Sequence, residues 1–291
     1  MGAPDISPCA QTGTKKKHVE RTKEDGQGAR LRIGPGDGTP ARCGPRGAMS
    51  NSLASAMTTG SRVLQAMPHL DAKKIQPHLE PVALVAGQVL FEAGDPIGHV
   101  WFIDSGAVSF VADQGVGRRV EIGLVGCDGL VGVTALMGEP QARFRALVQV
   151  AGEARRAPVT TLRPMLHASY GMRDLFMRVA TAALHRAATA AACNALHPLP
   201  ERAAGWLLSL HDRVGPGFAV TQEAMADMLG ARRPTVNAVM RRFVAEGLVR
   251  TARGRVTISD VAGLEGVACP CRRASAVVAP GPFAARSFVP S

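Results

Sequence analysis

Thr221–Met240, TQEAMADMLGARRPTVNAVM, decides the fold. It reads as two short helices joined by a tight turn. Ala224, Met225, Met228 and Leu229 recur at helical spacing and give the first helix one apolar stripe. Thr221 stands where a hydroxyl can accept from an unpaired first-turn N–H. Gly230 tolerates the left-handed conformation that closes the helix. Pro234 fits the first turn of the second helix, where its missing N–H has no partner to lose. Val236, Val239, Met240 and Phe243 carry that helix's buried stripe. The opposite face shows Arg232, Arg233, Thr235, Asn237, Arg241 and Arg242. Such a helix, apolar behind and rich in guanidinium, amide and hydroxyl groups in front, suits the major groove of a duplex. The competing reading is a helical hairpin with a solvated basic face.

The next residues favour the duplex. Gly247 ends the second helix, and Val249–Ile258 alternates around Arg253-Gly254 as a β-hairpin does. A hairpin directly after a reading helix is a wing. From Ala231 to Arg255 seven arginines face one acid, Glu246.

Composition agrees. The formal charge of +11 and the pI near 10.1 favour polyanions through counterion release. This balance does not separate DNA from RNA or an anionic membrane. No apolar run is long enough to span a bilayer, and the N-terminus lacks an apolar signal core, so a cytoplasmic protein with no membrane partner is expected. The six cysteines (Cys9, Cys43, Cys127, Cys193, Cys269 and Cys271) are too scattered for a disulfide framework. Cys269 and Cys271, the one close pair, could share a metal or sense oxidants, but no second pair stands nearby and they are expected to be free thiols in a mobile tail. Neither a metal site nor a cofactor is expected.

The order of segments gives an α+β chain. Residues 1–48 hold nine glycines and five prolines with few large aliphatics, and are expected to be a disordered tail. Their run Lys15–Lys17 is a candidate for non-specific DNA contact or a plain solvated stretch, and Met49 stands as an alternative start. Residues 49–162 open with a broken helical stretch. Short apolar runs then follow, punctuated by glycine every eight to twelve residues, which indicates a jelly roll or β-roll. Residues 163–198 read as a long helix. Leu175, Val179, Ala182, Arg186, Thr189, Cys193 and Leu196 step by fours and threes as a dimer seam would, and the alternative partner is the chain's own β domain. His197-Pro198-Leu199-Pro200 breaks that helix as a hinge. Residues 199–265 form the winged helix-turn-helix, and 266–291 are expected to be a flexible tail.

This order of parts resembles the Crp/Fnr family of bacterial transcription regulators over roughly residues 60–265. The resemblance rests on VAGQVLFEAGDPIGHVWFIDSGAV at 85–108, CDGLVGVTALMG at 127–138, LVQVAGEARRAP at 147–158 and the helix-turn-helix stretch. It implies an effector-binding roll, a homodimer through the 163–198 helix, and reading heads for double-stranded DNA, with RNA polymerase as a further partner. Cyclic-nucleotide-binding members follow the glycine of the phosphate cassette with a glutamate that holds the ribose. Here Gly132 is followed by Val133, which cannot accept the ribose hydroxyls. Those members next place an arginine and a hydroxyl residue on the phosphate; here the run is Arg143-Phe144-Arg145-Ala146. Gly132, Val133, Arg143 and Arg145 are therefore the effector positions, and cyclic AMP is not the expected effector. The two arginines are read either as anion ligands or as surface groups. Cys9 and Cys43 lack the clustered partners an iron–sulfur centre needs, and His78 or His99 alone is weak ground for haem.

In the reading helix Arg233 matches the family's guanine-contacting arginine, while Pro234 and Ala238 replace two other contact residues. The operator should differ accordingly. The resemblance implies phosphate contacts from Thr221, Gln222 and Thr235, base contacts from Arg233 and Asn237, and wing contacts from Arg253 and Arg255. Two readings compete with a DNA-binding regulator. One is a cyclic-nucleotide receptor module whose basic C-terminus binds a protein; the other is a cupin-like enzyme in the roll, for which His99 stands alone and no His-x-His occurs.

Overall fold

The computed structural model describes residues 60–113, 115 and 119–274, all within one compact unit, 56–291. The expectations for residues 1–48 and Met49 lie outside the described residues, as do those for 275–291.

Two short helices, α1 (Arg62–Gln65) and α2 (His69–Ile75), lead into a roll, with Pro68 separating them. The roll contains eight strands: β1 (Glu80–Leu84), β2 (Val89–Phe91), β3 (His99–Ile103), β4 (Ala107–Asp113), β5 (Arg119–Val125), β6 (Leu130–Val131), β7 (Arg145–Val150) and β8 (Gly152–Pro158). They form two antiparallel four-stranded sheets, ordered β1-β8-β3-β6 and β2-β7-β4-β5. The short apolar runs of the sequence become strands whose side chains fill the space between the sheets, among them Val100, Phe102, Val108, Val131 and Val148. Gly106 makes the β3–β4 turn possible. It sits at φ +81°, and a Cβ there would lie 2.6 Å from the carbonyl oxygen of Val150. A short helix, α3 (Val133–Leu136), follows β6.

The long helix departs from expectation in two ways. First, it is two helices, α4 (Val159–Ala168) and α5 (Tyr170–Leu196). The break falls at Ser169, whose hydroxyl caps α5 by accepting from Met172 N–H at 3.2 Å and donates to Asp71 at 2.6 Å. That polar residue anchors the bend to α2, which the periodicity alone does not reveal. Second, the heptad seam faces inward over Leu175 to Arg186, whereas its last member, Leu196, is exposed. Leu175 and Val179 lie in the roll core with Met172 and Phe176, and the rings of Phe176 and Phe102 are 6.2 Å apart. Arg186 is buried beside Asp128, while Thr189 and Cys193 line a cleft with the following helix. The roll offers the nearest apolar surface, and this face of α5 covers it. The large apolar groups left exposed on α5 are Tyr170, Met177 and Leu184, spaced by seven residues, and Leu196 at its end.

After Pro198 comes the second half: α6 (Leu199–Val214), β9 (Gly217–Ala219), α7 (Gln222–Met228), α8 (Arg233–Ala245), β10 (Val249–Ala252), β11 (Arg255–Ile258), α9 (Val261–Val267) and α10 (Cys271–Ala274). Trp206, Leu207, Leu210, Met225, Met228, Val236, Met240 and Phe243 fill its core, which continues into the roll through Ala107, Val111 and Leu124. The residues after 265 are not all tail. α9 packs on α6, α10 packs on both α5 and α6, and Cys269 is buried.

Polar contacts latch the halves together. The Asp128 carboxylate, fully buried, meets Arg213 at 3.0 Å and Arg186 at 3.7 Å, and accepts from Gly126 N–H at 3.1 Å. Burial lowers the Arg186 pKa despite the attraction of Asp128. Glu121 on β5 accepts from Ser109 Oγ at 2.6 Å and Trp206 Nε1 at 3.1 Å. Burial raises its carboxyl pKa, with those two hydrogen bonds and Arg213 opposing. Arg119 reaches Asp227 on α7 at 3.4 Å. Among the described residues no helix is long and apolar enough to cross a membrane.

Candidate nucleic-acid interface

The helix-turn-helix is built as its residues dictate. Thr221 caps α7, its Oγ1 accepting from Ala224 N–H at 3.1 Å, an arrangement worth about 1 kcal/mol. Gly230, at φ +59°, turns the chain toward α8. Arg232 is the N-cap of α8 and Pro234 lies in its first turn. Val236, Val239, Met240 and Phe243 anchor the back of α8. The wing is β10 and β11, with β9 as third strand in the order β10-β11-β9. Arg253 and Gly254 both take positive φ, +46° and +75°, at its tip. Two consecutive left-handed residues give a turn whose twist matches the flanking strands.

This scaffold brings together what the sequence singled out. Thr221, Gln222, Arg232, Arg233, Thr235 and Arg241 are exposed on one side of α7 and α8, with Arg253 and Arg255 exposed on the wing beside them. Thr221, Gln222, Arg233, Arg253 and Arg255 line a common groove. Arg233, Arg241, Arg250 and Arg253 have no acidic partner within ion-pair distance among the described residues, so their charge is available to a ligand. Arg242 instead pairs with Glu246 at 2.7 Å, and Arg255 donates to the Gly217 carbonyl at 3.2 Å. Asn237 is only half exposed, and its Oδ1 is buried without a hydrogen-bond partner. The N-terminus of α8 adds its dipole to the arginines, which favours an anion at this end.

The effector positions are arranged differently. Gly132 sits at φ +86°, and a Cβ there would lie 2.5 Å from His99 O and 3.1 Å from Ile97 Cγ2. Val133 is buried in the roll core, with Trp101 and Ile97 in the same cluster. Arg143 pairs with Glu139 at 2.8 Å and Arg145 with Glu92 at 2.7 Å. Both arginines are thus held by carboxylates of their own chain, and the Glu92 pair raises the Arg145 pKa.

Sequence reasoning singled out one pair of thiols but missed the partners that the fold brings to it. Cys269 and Cys271, expected as free thiols in a tail, meet Cys193 and His197 from the end of α5. Their ligating atoms all lie within 4.8 Å of one another. Cys193 Sγ is 3.3 Å from Cys269 Sγ, and Cys271 Sγ is 3.6 Å from His197 Nδ1. Burial, hydrogen bonding to Cys269 and the neighbouring thiols push the Cys193 thiol up to about 12. Besides the Cys269-Pro-Cys271 pair, the available signal was Cys193-x-x-x-His197, which places a second thiol and an imidazole about one turn apart at a helix end.

Two family descriptions match these halves. Residues 81–169 match a cyclic nucleotide-binding domain, and 201–267 match a Crp-like helix-turn-helix domain. The chain belongs to the Crp/Fnr family of DNA-binding transcription regulators. It is 28% identical over 197 residues to a CRP-like cAMP-activated global transcriptional regulator of Mycobacterium tuberculosis, covering 62% of this chain and 85% of that one. It is 25% identical over 205 residues to the transcriptional regulator SdrP of Thermus thermophilus, covering 65% and 94%. The solved structure of FixK2 from Bradyrhizobium japonicum shares the fold, with TM-score 0.58 at 16% identity over 66% of this chain and 98% of that one.

Proposed function

We propose that this regulator binds a specific operator as a homodimer and that its roll answers to a signal other than cyclic AMP. The observation that carries the reading is the groove between α7, α8 and the wing, where Arg233, Arg253 and the capping Thr221 face outward together. Arg233 reaches a guanine edge, Thr235 and Gln222 hold phosphates, and the wing arginines grip the flanking backbone. Asn237 supplies a second base contact once its amide turns outward, because its Oδ1 is buried in the free chain. Two copies associate through the face of α5 bearing Met177 and Leu184, which spaces two reading heads for paired half-sites.

The mycobacterial relative's description names cAMP, but this roll argues against that ligand. Val133 is apolar and buried where a ribose acceptor is needed, and Arg143 and Arg145 are already paired. The cupin-like reading loses ground because the one cluster of potential metal ligands among the described residues lies between α5 and α10, outside the roll. Selection of bound fragments from random duplex DNA tests the proposal. It should return a two-fold symmetric motif, and Arg233→Ala should cost about 1–3 kcal/mol on that motif while relaxing one base position. Equal weakening on every sequence would reduce Arg233 to a phosphate contact. An unselective pool would overturn operator recognition.

A further inference from the structure

The cysteine–histidine cluster has the composition and geometry of a metal site. Cys193 and His197 are one helical turn apart at the C-terminal end of α5, and the His197 N–H donates to the Cys193 carbonyl at 3.1 Å. Cys269 and Cys271 flank Pro270, and Arg272 N–H donates to the Cys269 carbonyl at 3.1 Å. This tight turn brings both thiols of the C-terminal segment to the end of α5. Arg272 fixes the turn from the other side, reaching Asp212 on α6 at 3.0 Å.

Tetrahedral zinc with bonds of about 2.3 Å to sulfur and 2.0–2.1 Å to nitrogen places its sulfurs about 3.8 Å apart and sulfur about 3.6 Å from nitrogen. The observed separations are 3.3 Å for Cys193–Cys269 and 3.6 Å for Cys271–His197. A disulfide is not what holds the sulfurs close, because that bond is about 2.05 Å long and all four described cysteines are free. An iron–sulfur cluster spreads its ligands over several irons; four ligand atoms within 4.8 Å have room for one ion. Calcium and magnesium take oxygen ligands, whereas three thiolates and an imidazole suit a soft or borderline cation.

We propose that Cys193, His197, Cys269 and Cys271 bind a single zinc ion that staples the C-terminal segment to the end of the long helix. The site has four protein ligands and no open position, so its role is structural. Its place gives it a mechanical consequence. His197-Pro198 is the only covalent link between α5 and α6, and the zinc adds a second tie across it through residues 76 apart in sequence. α9 and α10 pack on α6, so the ion fixes the DNA-binding half against α5. Zinc binding displaces thiol protons, which ties the staple to pH and to thiol oxidation.

The test uses the full chain without a histidine tag, purified under reducing conditions. Metal analysis should find one zinc per chain, and cobalt replacement should give the ligand-field absorption of a tetrahedral thiolate site. The variant Cys269→Ser/Cys271→Ser should lose both signals, whereas Cys127→Ser should keep both. Chelation of the wild type should make the segment around Cys269 sensitive to protease. Failure of the reduced wild type to take up zinc or cobalt would overturn the proposal, and this outcome needs no variant to fold. So would stoichiometric zinc retained by the double variant. DNA binding need not be measured, so this result is separable from the operator reading.

Discussion

Replacing Asp128 with alanine should release the roll from the DNA-binding half. Its carboxylate is fully buried between the side chains of Arg213, 2% exposed, and Arg186, 10% exposed. Removing one partner of a buried pair typically costs about 3–5 kcal/mol, because the remaining charge stays buried without compensation. A loss within this range is expected because two guanidinium groups share the one carboxylate and Arg186 is already disfavoured by burial. The Gly126 N–H would lose its acceptor as well. For a chain of this size about 2–4 °C accompanies each kcal/mol, so the melting temperature should fall by about 6–20 °C. Circular dichroism follows the global transition, and Trp206 fluorescence reports the interface because Trp206 donates to Glu121 across it. The control is a cycle with Arg213→Met. The double variant Asp128→Leu/Arg213→Met should recover much of the loss, because a packed apolar pair often replaces a buried ion pair at little cost. A drop below about 2 °C for Asp128→Ala, or strictly additive losses in the cycle, would refute the view that this pair latches the two halves.

Two further outcomes follow from particular contacts. Leu184→Glu, on the exposed face of α5, should leave the melting of the monomer nearly unchanged but abolish association in sedimentation equilibrium; a dimer that survives would place the partner interface elsewhere. Glu121 has its carboxyl pKa raised by burial, so the protonated form is favoured in the folded chain. The stabilisation it contributes is present below the ordinary carboxylate range and fades as pH rises through its elevated value. Urea titrations should show stability declining across that window in the wild type and a flatter profile for Glu121→Gln; matching profiles would exclude Glu121 as the group responsible.

The local elements were legible because each carries its own chemistry. Thr221, Gly230 and Pro234 marked helix boundaries, and the four buried residues of α8 fixed which face turns outward. Arg253-Gly254 specified the wing turn, since two positive φ values at adjacent positions select it. The face of α5 was not legible. Leu175, Val179 and Arg186 repeat at the spacing of a dimer seam, but periodicity says only that a face is buried. It does not name the partner, and here the partner is the chain's own roll and Asp128.

By itself, then, the sequence determined the helix-turn-helix and the wing, because those depend on residues close together along the chain. It marked the short strands of the β-roll and the family through local runs and motifs, whereas the pairing of those strands, such as β1 with β8, is long-range. Tertiary structure alone decided which groups meet across long separations: Asp128 with Arg213, Arg145 with Glu92, and Cys193 and His197 with Cys269 and Cys271. The physical reason is that a hydrogen bond or a ligand set acts over a few ångströms in space, whatever number of residues lies between.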